Sequence, residues 1–129
     1  KGIKNSKNYN WDKLAESIEN ARKNNPDDQE LDEMNLAMYK FKSSSLSEER
    51  QHFQEFLAAN PRSPIGHAYL ASVEFREGHK DQAILLLKKA LTLQPDNQRI
   101  METLAKIPQA KPGDKIFTLQ LGVKLNDAF

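Results

Sequence analysis

A Leu-Ala pair recurs in this chain at a fixed interval: Leu36-Ala37, Leu70-Ala71 and Leu104-Ala105 each follow the last by 34 residues. The first two pairs extend into longer echoes, LAMYKF over 36–41 and LASVEF over 70–75. Prolines keep the same step, with Pro26, Pro61 and Pro95 spaced 35 and 34 apart. Each proline follows a polar stretch and precedes Asp, Ser or Asn, the residues that cap a following helix. Six markers in one register bind the chain to a repeat architecture, in which each unit buries its apolar face only against its neighbours.

The unit is clearest between Pro64 and Pro95. Leu70, Ala71, Val73 and Phe75 gather on one side of a first helix. Ala83, Ile84, Leu87, Ala90 and Leu91 recur at spacings of three and four, one face of a second. Gly78 lies between them, where a helix must stop and turn through positive φ. Pro95 ends the second helix because it has no N–H to donate. The same reading predicts helices over 11–24, with Trp11, Leu14, Ile18 and Ala21 as its stripe, and over 30–42, 47–59, 63–77, 80–94 and 97–107. Asn10 or Asn8 caps the first. Ser47 with Arg50 lacks the acidic partner of a capping box at the start of the third. Pro108 cuts the last helix short.

These residues resemble the tetratricopeptide repeat, a helix–turn–helix unit of about 34 residues. Leu70-Ala71 stands at that family's Leu-Gly pair, Gly78 at its turn glycine, Ala83 and Ala90 at its two small crossing positions, Leu87 between them and Pro95 at the end. His67 stands where Trp is usual and Glu74 where Tyr is usual. The resemblance implies an all-α solenoid of about three repeats over 1–107, whose first helices line a concave groove that receives a polypeptide. Mapped onto this chain, that groove takes Leu31, Met34, Asn35, Met38 and Lys42 from one unit. The next supplies Ile65, Ala68, Tyr69, Ser72 and Arg76, and the last helix adds Arg99, Glu102 and Lys106. Some family members hold a terminal carboxylate in a clamp of cations and amides. Here that frame falls on Met34, Met38, Tyr69, Arg99 and Thr103, and only Arg99 has the required chemistry, so an apolar, Met-rich contact is expected instead. For Met34 and Met38, packing between helices stays open beside binding.

Composition narrows the classes. A net charge of +1 with 29% charged residues lacks the basic excess of a nucleic-acid binder. No cysteine is present, so disulfides, thiolate catalysis and Cys zinc sites are excluded; this suits an oxidising compartment, though cytosolic domains share it. The chain starts at Lys1, which fits removal of a preceding segment. His52, His67 and His79 fall in different units, which predicts no metal site, and no cofactor is expected. Asp27-Asp28, Asp32-Glu33 and Glu48-Glu49 sit at helix starts, where negative charge complements the helix dipole. With no phosphate-binding loop or nucleophile elbow, the expected function is binding a polypeptide without transforming it.

Residues 108–114 read as a linker. Beyond them Phe117, Leu119, Leu121, Val123 and Leu125 alternate with Thr118, Gln120, Gly122 and Lys124, a strand pattern over 115–129. Helical repeats running into such a strand resemble the periplasmic domains of outer-membrane export barrels, among them surface-lipoprotein assembly modulators and polysaccharide-export porins. That resemblance implies a periplasmic location, with membrane contact only through a following barrel. A scaffold in a cytosolic or inner-membrane-associated complex, or a regulatory module attached to an enzyme, stays open beside it.

Overall fold

The computed structural model describes residues 10–117. They form six α-helices: α1 (Trp11–Asn24), α2 (Gln29–Lys42), α3 (Leu46–Ala59), α4 (Pro64–Arg76), α5 (Lys80–Leu93) and α6 (Gln98–Lys106), followed by a 3-10 turn over Ile107–Gln109. The expected helix ends lie within one residue of these: 63–77, 80–94 and 97–107 counted capping residues as helix, and α2 and α3 each begin one residue before the expected start. The fold is an all-α helical-repeat solenoid of the tetratricopeptide type.

One turn is built three times. Asp28 N–H bonds Asn25 O at 3.2 Å, Ser63 N–H bonds Asn60 O at 3.1 Å, and Asn97 N–H bonds Gln94 O at 3.2 Å. Each is a β-turn with proline at its second position, where the ring pre-sets φ. Its fourth residue then caps the next helix: Asp28 accepts from Glu30 N–H, Ser63 from Gly66 N–H and Asn97 from Ile100 N–H. The proline period is therefore a period of turns as well as of helix ends.

At Gly78 the chain closes a Schellman motif. Gly78 takes φ 87°, while His79 N–H bonds Glu74 O at 2.8 Å and Gly78 N–H bonds Phe75 O at 3.0 Å. The start of α3 departs from expectation. Its cap is Ser45, which accepts from Glu48 N–H at 3.1 Å, while the Glu48 carboxylate accepts from Ser44 N–H at 2.9 Å. The Ser-x-x-Glu signature of a capping box is present two residues earlier than Ser47.

α4 is the central element, with ten of its 13 residues buried. Its apolar residues are not confined to one stripe, because neighbours cover most of its surface. Leu36, Ala37, Phe53, Phe56, Leu70 and Val73 form one core between α2, α3 and α4. Ala71, Phe75, Ala83, Leu87, Ala90 and Ile100 form a second between α4, α5 and α6. At Gly66 a Cβ would lie 2.8 Å from Leu57 Cδ2 and 3.1 Å from the Phe56 ring, so α3 and α4 cross closely and a side chain there would make Leu57 shift.

Residues 108–114 do not hang free. Ala110 is buried in the second core, and Lys80 Nζ donates to Pro108 O at 3.1 Å. Ile116 and Phe117 pack on the same core, with the Phe117 ring 5.7 Å from that of Phe75. Residues 115–117 form no strand; the rest of the expected strand, from Thr118 on, lies outside the described residues.

Candidate functional site

The groove is the side shared by α2, α4 and α6, the first helices of successive units. Glu33 of α2 joins all three. Its carboxylate takes both arms of the Arg99 guanidinium from α6, at 2.8 and 3.1 Å, and the Tyr69 hydroxyl from α4 at 3.1 Å. Glu33 and Tyr69 are buried. Burial first, then the Glu33 charge, holds the Tyr69 phenol far above its usual range, so it donates as a neutral group. The Glu33 hydrogen bond raises the Arg99 pKa.

Toward the far ends of α2 and α4 the groove widens. Around Glu33 and Tyr69 the free space is only about 20 Å³, room for about one water. A second cavity of about 380 Å³ lies between Lys40 of α2, Ser72, Phe75 and Arg76 of α4, and the chain over 112–115. Phe117 lines both spaces and separates them. Arg76 is committed to Glu49 of α3 by two bonds at 2.7 and 3.2 Å, with its Nε on Ser72. Lys40 has no ion pair or hydrogen bond among the described residues. Half-burial, then the positive charge of Arg76, lowers its pKa, against an opposing pull from Glu49.

The expected groove residues are thereby sorted. On α4 the assignment falls on the cavity walls: Ile65, Ala68 and Tyr69 line the narrow space, Ser72 and Arg76 the wide one. Ile65, Tyr69 and Ser72 are nonetheless buried, and so is Met38 on α2. Met38 is a packing residue, and no side-chain surface is left on it for an apolar partner. Met34 is half-buried against the first core. Lys42 is drawn over the Tyr39 ring at 5.2 Å, and that ring stacks on His52 of α3. Leu31 and Asn35 are half-buried and line neither cavity, Arg99 lines the narrow one, and Glu102 and Lys106 are exposed outside both.

The inner face of α2 is thus Glu33, Ala37 and Lys40, about one residue round from the expected Met34, Met38 and Lys42. The sequence held a signal for this. Glu33 and Lys40 lie four before and three after Ala37, on the face of the Leu-Ala pair that must turn inward.

Residues 65–107 match the tetratricopeptide repeat family. This stretch runs from α4 through α6, which includes the complete helix pair, the third Pro turn and the start of the 3-10 turn. No curated protein and no solved structure matches the chain. Two tetratricopeptide positions that depart from the usual pattern now have partners. His67, at the Trp position, is buried, and its Nδ1 bonds Ser63 O at 2.8 Å, so it is neither solvated nor facing the groove. Glu74, at the Tyr position, receives Arg50 at 3.1 Å and His79 at 2.8 Å.

His79 does meet carboxylates, contrary to the sequence reading. Glu74, Glu77 and His79 offer ligand atoms within 4.8 Å of one another. Arg50 bonds both carboxylates and supplies the balancing cation. Burial opposes ionisation of Glu74, but the bonds from Arg50 and His79 prevail and lower its pKa. This is an ion-paired helix junction.

Proposed function

We propose that the chain is a non-catalytic module that binds a polypeptide in the groove of α2, α4 and α6. Tetratricopeptide repeats generally mediate contacts between proteins, and residues 65–107 match that family. The observation that carries the reading is the 380 Å³ cavity on the inner side of the first helices, within the usual range for a ligand site. On α5, Leu85 stands 60% exposed, and it lines none of the cavities described above.

The test is selection of random peptides displayed on phage against the full chain, followed by fluorescence polarisation with the enriched sequences. Arg76→Ala should weaken their binding and Leu85→Asp should not. Enriched peptides sensitive only to Leu85→Asp would move the site to the outer face and defeat the reading.

The finer proposal is that the groove serves a periplasmic domain ahead of an outer-membrane export barrel. Its support is the alternation over 117–125, of which only Phe117 is described. Fractionation of cells expressing the full gene product tests it: heat-modifiable migration and recovery with outer membranes are expected. A product found in the cytosol would favour the scaffold reading.

A further inference from the structure

Lys40 is a cation without a counter-charge on the wall of a cavity wide enough for a ligand. Of the other charged groups lining that space, none bonds Lys40 among the described residues, and Asp114 and Lys115 are exposed. Arg76 is forked on Glu49, and Asp114 accepts from Lys111 N–H at 2.9 Å. Half-buried Phe117 also lines the space, its ring tilted at 48° to that of the core residue Phe75 with 5.7 Å between centroids. An unpaired charge kept out of water is costly, and a desolvated titratable group in a cleft marks a candidate site.

Resting on the polypeptide-binding reading, we infer that this cavity receives an acidic side chain with an aromatic residue beside it. The carboxylate would meet Lys40 and the ring would lie against Phe117. One free cation on a flexible stem suits a carboxylate that is itself on a side chain. A chain terminus, fixed by its backbone, calls for several convergent donors. A carboxylate there gains the charge-assisted bond that no described residue gives Lys40.

Calorimetric titration of the full chain with N-acetyl-aspartyl-phenylalaninamide tests this, with N-acetyl-asparaginyl-phenylalaninamide and N-acetylphenylalanine as comparators. The aspartyl probe should bind roughly tenfold more tightly than the asparaginyl one. Lys40→Met should abolish that preference and Lys40→Arg should keep it, with both variants' unfolding midpoints measured to show that they fold. Equal binding of the aspartyl and asparaginyl probes, or a preference that survives Lys40→Met, overturns the assignment. So does absence of binding by every probe, and tighter binding of N-acetylphenylalanine would hand the cavity to chain ends instead. Peptides selected on phage that still depend on Arg76 would show the groove reading surviving the loss of this one.

Discussion

Glu33 and Lys40 lie two turns apart on the same face of α2, and their surroundings are opposite. Glu33 is 6% exposed, yet its carboxylate is met by Arg99 and Tyr69 from two other helices. At Lys40 the stronger charge influence is Arg76, of like sign and turned to Glu49, whose opposing pull is weaker. One end of the groove is closed by a completed polar network and a phenylalanine, and the other is open with its cation unmet. A buried charge is tolerated in a fold only when its partners come with it, so the two ends differ: the first ties three helices together, and the second carries a half-buried cation with no such partners.

The comparison breaks most readily at Glu33. Glu33→Ala strands the Tyr69 hydroxyl and part of the Arg99 guanidinium, and should cost about 3 kcal/mol in urea unfolding. An unchanged midpoint would mean that the network is not structural.

Phe117→Ala should come next, at about 1–2 kcal/mol for a half-buried ring, and should join the narrow space to the wide one. For the same reason, ending the chain near Pro112 should lower the midpoint. Sequence alone placed Phe117 in a strand pattern and not on the helical core.

At the other end the sign reverses. Lys40→Met should raise stability by about 1 kcal/mol, since it removes a half-buried charge without a partner. A loss of stability would show that Lys40 packs or pairs in a way that the open cavity denies.

The smallest effect is on pH dependence. The folded pKa of Lys40 lies below the ordinary 10.5, so between those two values the unfolded chain binds more protons and stability rises with pH. The advantage of Lys40→Met over the parent should therefore shrink as pH climbs toward 10.5, and stay whole at neutral pH. An advantage that is constant across the alkaline range would place Lys40 in water.

Much of this fold is local chemistry and was legible in the residues. Helix ends follow from proline, glycine and Asn/Asp/Ser caps, each of which acts within four residues of itself. Repeat count and helix pairing follow from a period that no single strand or irregular loop would keep. Two local signals were passed over, the Ser45–Glu48 box and the nearness of Glu74 and Glu77 to His79. Both lie within five residues in sequence.

Other features could not be local. Leu36-Ala37, Leu70-Ala71 and Leu104-Ala105 are the same dipeptide in the same register. The first two are buried, with Leu36 and Ala71 at 0%, while Leu104 is only half-buried and Ala105 is exposed. Sequence alone determined that each pair sits on a helix face. Burial required a second helix to cover that face, and among the described residues none follows α6. The groove was decided in the same way. Which turn of α2 faces inward, whether Met38 packs or binds, and which cation is left unpaired depend on contacts with α4 and α6, 22 residues or more along the chain. The period repeats residues; tertiary packing chose which of them to cover.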